Sequence, residues 1–437
     1  MDIKTYAMGF MSRWQSAVLS VVRGDGQDDT DLATQHPIMT SSCEACGVME
    51  EAVAAGKNPL DFATDISKLE LLSTCARLYL SLAMAKAMGD SERATELESE
   101  IQFSTCDPLW AKALLHFDDD RTVTPYRHYE SIDDFVLPLP GDTLKIAFIA
   151  DWATGTDFAK NVMRCIGEQA PDVLIHLGDV YYSGTKEEMQ EHFLSIVRDY
   201  VPATTKVFSL AGNHDLYAGG EGYYWLIDEL GQPASYFCLR NEHWQILGIG
   251  APPEIGDPMA AQNSAHDVDP KEAEWQRHKI ETADGRKTVM LSHYQLFTAS
   301  GNIARSADNR PLAVNPIFME AFEPVLSEID VWLWGHEHNL AVFEPYVGLE
   351  RGRCIGSGAI PVALLWKPYE TIDDLVLPDG ANGPPVMAED CRLGHDGDHY
   401  HHAFCVLDID GADGSMTYFQ VPGVDGHAEP LFTERIS

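Results

Sequence analysis

The sequence predicts an α/β fold: a mostly parallel sheet built by βαβαβ alternation, a second sheet packed on it, and a helical region ahead of both. Three observations carry this. Short apolar runs bounded by turn residues read as buried strands. From Leu144 onward they alternate with segments of helical period, the pattern of parallel strands joined by crossover helices. Residues 1–138, in contrast, lack strand alternation altogether.

In that first region Leu71, Cys75, Leu78, Leu82 and Ala85 recur at gaps of four and three within Asp65 to Met88, an amphipathic helix stripe. A second helix is expected over Ser91 to Gln102, after the break at Gly89. The role of the region stays open, because a helical cap, a lid and a surface for homo-oligomer formation would look alike. The acidic run Asp118 to Asp120 and the prolines Pro138 and Pro140 mark its end, leaving 139–437 as the second domain. There LKIAFIA is a strand, Asp157 to Gly167 a helix, DVLIHLG a strand, Lys186 to Arg198 a helix and TKVFSLAG a strand. WQILGIGA is a strand, Pro270 to Thr282 a helix, KTVMLSH a strand, Asn315 to Ser327 a helix and VWLWG a strand. The runs AVFEPYV, CIGSGAIPVAL, HAFCVLDI and MTYFQV, from about Leu340 to Val421, are expected to form the second sheet.

Composition narrows the function. The chain has 437 residues, 45% of them apolar, enough for a full core and too many for one ordinary domain. Its 68 acidic and 30 basic residues leave a net charge of −38. Such a surface repels phosphate backbones and anionic lipid, so neither bulk nucleic-acid binding nor membrane binding is expected. An anionic substrate would need positive charge fixed locally, as metal ions provide. Nine scattered cysteines do not form a disulfide framework, and the Cys43–Cys46 CxxC has no second ligand pair. There is no apolar run of 18 residues, no convincing signal peptide and no Asn-x-Ser/Thr acceptor, so a cytoplasmic protein is the expectation.

Five of the apolar runs end in residues able to bind a metal. IAFIAD ends at Asp151; LIHLGDVYY carries Asp179 and Tyr182; LAGNHD carries Asn213 and His214; MLSH ends at His293; WLWGHEH carries His336 and His338. Strands of an α/β sheet present their carboxyl ends at one edge, where ligands bind. A carboxylate can bridge two cations, an Asn carbonyl is a neutral ligand, and imidazole suits Fe, Zn and Mn. Together these residues describe a site for two metal ions.

The ordered set D…GDxxY…GNHD…H…GHxH resembles the calcineurin-like metallophosphoesterase superfamily, over Asp151 to His338. Within it the chain looks like the purple acid phosphatase branch. Ala153 stands where most of the superfamily has histidine, and Tyr182 lies three residues after Asp179, as the branch requires. The resemblance implies a metallophosphoesterase-type β-sandwich flanked by helices. It implies Asp151, Asp179, Tyr182 and His338 around a first ion, Fe(III), with Asp179 bridging. Asn213, His293 and His336 would complete a second, divalent site for Fe, Zn or Mn. His214 would act on the transition state or the leaving oxygen, and Asp215 would orient it. Tyr181 adjoins Tyr182, and one of the pair must point elsewhere.

The chain departs from the branch at Ala150, where many relatives have glycine, and Tyr294 offers no second histidine after His293. The loop YAGGEGYY lacks the GK[ST] of a P-loop and reads as a substrate rim or a plain turn. His395, Asp396, Asp398, His399, His401 and His402 either bind another metal, line the cleft or form a polar loop. The expected activity is hydrolysis of a small phosphate monoester by hydroxide activated on two metal ions. The alternatives are a phosphodiesterase acting on nucleotides or phospholipid headgroups through the same site, and a helical scaffold with a vestigial metal site.

Overall fold

The computed structural model describes Leu97 and residues 123–252, 268–300, 303–397 and 399–436. The chain divides into two compact units, Met1–Asp118 and Asp119–Ser437. In the first, Leu97 is helical and buried. The rest of the expected helices over 65–88 and 91–102, and the Cys43–Cys46 pair, lie outside the described residues.

The second unit holds two sheets, one of seven strands and one of six. In chain order the strands are β1 (Val136–Pro138), β2 (Thr143–Ile149), β3 (Val173–His176), β4 (Lys206–Ser209), β5 (Phe237–Arg240), β6 (Trp244–Gly248) and β7 (Lys287–Ser292). There follow β8 (Val331–Trp334), β9 (Leu340–Val342), β10 (Gly352–Ile355), β11 (His395–Asp396), β12 (His399–Tyr400), β13 (His402–Asp410), β14 (Asp413–Val421) and β15 (Glu429–Ile436). The seven-stranded order is β1-β5-β6-β7-β8-β10-β9 and the six-stranded order β15-β14-β13-β2-β3-β4; β11 and β12 pair separately as a hairpin.

The expected βαβαβ unit forms: β2, β3 and β4 run parallel in one layer. The membership of the second layer differs from the expected plan, since β6, β7 and β8 run parallel there rather than extending the first. The antiparallel β5–β6 pair opens the second layer, and β13 returns to pair antiparallel with β2. Pairing partners are a long-range choice that apolar runs do not encode. The boundary also moves. Residues 136–138, placed by sequence in the helical region, pair as β1 with β5, and Tyr126 packs beside Tyr236.

Alternation along the strands explains why they read as continuous apolar runs. Ile146, Phe148 and Ile175 pack against Ile246, Val289, Leu291 and Leu333 between the sheets. Their neighbours Ala147, Ile149 and Leu174 turn outward beneath helix residues such as Val162, Ile166 and Phe193. Both faces are buried, so both are apolar.

The helices begin where side chains satisfy free amides. At α1 (Asp157–Glu168) Thr156 accepts from Ala159 N–H. The helical run over 186–200, α2, starts with a capping box of Thr185 and Glu188. A further helix, α3, spans Glu221–Leu230. Asp269 caps α4 (Pro270–Glu281) and Asn315 caps α5 (Pro316–Phe322), each with proline at the first position. Helix α5 is shorter than expected, because 323–328 tightens into a 3₁₀ turn. Among the described residues no helix is long and apolar enough to cross a membrane.

Candidate metal centre

The loops that follow β2, β3, β4, β7 and β8 meet at one edge of the sandwich and bring the sequence-named residues together. Asp151 and Asp179 are 0% and 1% exposed. Both have positive φ, 52° and 73°, as does His336 at 65°. Left-handed backbone at non-glycine residues is held only where surrounding contacts over-determine it, and such positions cluster at functional sites.

Three acceptor atoms converge on one side. His293 Nδ1 donates to the Leu177 carbonyl at 3.0 Å, which leaves Nε2 with its lone pair facing inward. Asn213 Nδ2 donates to the Tyr217 hydroxyl at 2.6 Å, which turns Oδ1 inward too. His293 Nε2 then lies 3.3 Å from Asn213 Oδ1, 3.5 Å from Asp179 Oδ2 and 3.3 Å from His336 Nδ1. Asp179, His293 and His336 form a group able to hold a cation.

On the other side Asp151 Oδ1 lies 3.4 Å from His338 Nε2, while Asp151 Oδ2 accepts the His336 N–H at 2.9 Å. A tyrosine hydroxyl stands between them, 3.2 Å from Asp151 Oδ1, 3.2 Å from Asp179 Oδ2 and 3.3 Å from His338 Nε2. It belongs to Tyr181. Sequence spacing points to Tyr182; the hydroxyl that stands here is that of Tyr181. The Glu188 carboxylate accepts the N–H groups of Tyr182, Ser183 and Thr185, drawing the backbone beyond residue 181 toward the start of α2.

Asp215 is set among backbone amides. Its carboxylate accepts the N–H groups of Asp179, Val180 and Gly212 at 2.7, 2.9 and 2.6 Å, tying the loop after β3 to the loop after β4. His214 is oriented by the Tyr182 carbonyl, 2.7 Å from Nδ1. Its Nε2 therefore faces the site, 3.9 Å from Asp179 Oδ2. Gly212 is required by close approach, since a Cβ there would lie 2.2 Å from Asp179 Oδ1. Tyr294 packs edge-on against both His293 and His336, with ring centroids 5.0 and 5.1 Å away.

The electrostatics ask for a cation. Burial pushes the Asp179 carboxyl up to about 7, against the pull of His214 and with the Asp151 charge adding to the rise. Burial acts upward on Asp151 too, but its hydrogen bond to His338 and the nearby histidines outweigh it and hold the carboxyl low. Burial lowers His214 and His293. Among the described residues, the ion pairs of Asp151 and Asp179 are all with histidines and none with lysine or arginine. Buried carboxylates and inward lone pairs without a fixed cation are the donor set of a metal site.

Of the polar run 395–402, the β11–β12 hairpin carries His395, Asp396 and His399, and His402 opens β13; Asp398 lies outside the described residues. His401 Nε2 lies 3.3 Å from Asp396 Oδ2, and His402 packs against Phe158. Tyr400 and His401 line a narrow space beside His338.

Residues 144–340 match the family described as calcineurin-like phosphoesterase. This segment is a calcineurin-like phosphoesterase domain. No curated protein matches the chain. Among solved structures, purple acid phosphatase PPD1 from yellow lupin (Lupinus luteus) seeds is similar at 12% identity and a TM-score of 0.44, over 68% of this chain and 54% of that one. The chain thus spans about half the length of the lupin protein. GAP50, the anchor in the inner membrane complex of Plasmodium, is similar at 14% identity and a TM-score of 0.42, over 68% of this chain and 89% of that one. Zn²⁺-complexed Vps29 from Entamoeba histolytica is similar at 11% identity and a TM-score of 0.29, over 67% of this chain and 100% of that one.

Proposed function

We propose that the phosphoesterase domain is a dinuclear metal-dependent phosphomonoesterase of the purple acid phosphatase type. The observation that carries this is the convergence of Asp179 Oδ2, Asn213 Oδ1, His293 Nε2 and His336 Nδ1 beside a second set of Asp151, Tyr181 and His338. Asp151, Asp179, Tyr181 and His338 would hold Fe(III), which a phenolate favours. Asp179, Asn213, His293 and His336 would hold a divalent ion. Two bound ions would supply Lewis acidity and lower the pKa of a coordinated water.

The chain's own residues do the rest. Asp179 presents Oδ2 to the site and is fixed by the His214 N–H at Oδ1. Tyr217 keeps the Asn213 carbonyl oxygen inward. His214, locked through Nδ1, presents Nε2 as the atom that would hold a proton for the departing ester oxygen.

The test is metal analysis of the purified full chain, followed by rates on an aryl phosphate and a bis-aryl phosphate. Two metals per chain and preference for the monoester are expected. Preference for the diester would make the domain a phosphodiesterase. Absence of both metal and turnover would leave a scaffold.

A further inference from the structure

Between the two candidate ligands of the last motif stands Glu337, to which neither the motif nor the ligand set gives a part. It is buried, and its carboxylate reaches the loop that follows His293. Oε1 accepts from the Thr298 hydroxyl and from the Ser300 hydroxyl. Thr298 Oγ1 in turn accepts the Ser300 N–H at 2.9 Å, and the Thr298 N–H donates to the Ala313 carbonyl at 2.9 Å. The backbone of Glu337 is equally committed. Its N–H donates to the Gly335 carbonyl at 2.7 Å, and its carbonyl accepts from Asn339 N–H at 2.7 Å and from the Cys354 thiol at 3.2 Å.

A buried carboxylate is unfavourable unless hydrogen-bonded, and this one finds its hydroxyl donors on a different ligand loop. The arrangement parallels Asp215, which ties the loops after β3 and β4 through three amides. Glu337 ties the loops after β7 and β8. Those loops carry His293 and His336, whose facing nitrogens are 3.3 Å apart.

We propose that Glu337 is a positioning residue that clasps the His293 loop to the His336–His338 turn and so sets the separation of His293 and His336 for cation binding. The inference rests on the reading of the site as a metal centre. The clasp acts through the Thr298 and Ser300 hydroxyls, with Gln295 of the same loop also directed at the carboxylate, so removing the hydroxyls takes away most of what removing the carboxylate does.

The experiment uses the full chain, stripped with a chelator and titrated with Mn²⁺ in competition with a chromophoric chelator. The variants are E337A, E337Q, the double variant T298V/S300A and the triple combination. Outer partners of metal ligands are typically worth about 10–100-fold in affinity. E337A is expected to weaken one of the two Mn²⁺ sites by a factor in that range. E337Q keeps an acceptor oxygen for the hydroxyls and is expected to recover most of the loss. T298V/S300A is expected to lose most of what E337A loses, and the triple variant to lose no more than E337A. Should E337A not fold, T298V/S300A with E337Q still decides the matter. Wild-type affinity in T298V/S300A, or independent losses that multiply in the triple variant, would overturn the clasp. A wild-type chain that binds no Mn²⁺ would instead overturn the metal-centre reading, and the clasp's purpose with it.

Discussion

The Tyr181 hydroxyl lies 3.2 Å from Asp179 Oδ2, the same distance as from Asp151 Oδ1. One phenolic proton cannot serve two carboxylates and the His338 nitrogen equally. Burial and the two carboxylates hold the phenol well above its ordinary pKa, so on its own the group stays protonated. A cation between these oxygens reverses that preference, because it stabilises the phenolate as it does any coordinating anion.

The first prediction follows from this geometry. Iron-loaded, oxidised wild type is expected to show a broad visible band from tyrosinate-to-iron charge transfer. Tyr181→Phe should bleach it, and Tyr182→Phe should leave it in place. Visible spectra of the three proteins at equal iron content settle the point. A band lost in Tyr182→Phe and kept in Tyr181→Phe would return the ligand to residue 182.

Asp215→Ala should act on architecture rather than on proton transfer. Three backbone amides lose their acceptor, and each such loss costs about 1–3 kcal/mol when the group stays buried. Chemical denaturation should therefore show a fall of several kcal/mol, roughly 3 or more, with loss of bound metal. The pH profile of residual activity should keep its shape, because Tyr182 still orients His214. A shifted profile at unchanged stability would restore the expected Asp215–His214 relation.

How much of this was legible follows from the range of each interaction. That Asp151, Asp179, Asn213, His293, His336 and His338 stand at strand ends was readable because a buried strand and its terminal residue are neighbours in sequence. The choice between Tyr181 and Tyr182 was not, since it depends on Glu188 capturing the amides beyond residue 181. Asp215 looked like a partner for His214 by adjacency, yet it accepts from backbone amides, two of them some 35 residues away. Glu337 gave a single hint, an acid inside GHEH between two candidate ligands, because the hydroxyls of Thr298 and Ser300 leave no spacing rule. Sheet membership was hidden for the same reason: β4 and β6 read alike but belong to different layers.

Stability should depend on pH through Glu272. Burial pushes its carboxyl from 4.5 up to about 8, although Tyr126, Gly250 and Gln276 donate to it. The folded state then holds a proton that the unfolded state releases above about pH 4.5. The stabilisation is complete below that value and is lost as pH rises toward about 8, at up to about 1.4 kcal/mol per pH unit. Glu272→Gln should remove this part of the slope. Denaturation midpoints of both proteins between pH 5 and 8, measured without metal, check it; parallel curves would show that Glu272 does not titrate in this window.

His214→Ala should keep both metals and lose turnover, since Nε2 faces the site without belonging to either ligand set. Proton transfer by a positioned side chain is typically worth on the order of 10²–10⁴-fold. The size of the loss should depend on the leaving group, because a phenolate that leaves unaided needs no proton. The variant is therefore expected to lose less on p-nitrophenyl phosphate than on phenyl phosphate, and most on an alkyl phosphate. Rates on the three esters at matched metal content give the comparison. An equal loss on all of them would make His214 a stabiliser of transition-state charge instead of an acid. Loss of metal would make it a ligand, and an unchanged rate would make it a bystander held by Tyr182 and packed between Tyr181 and Tyr217.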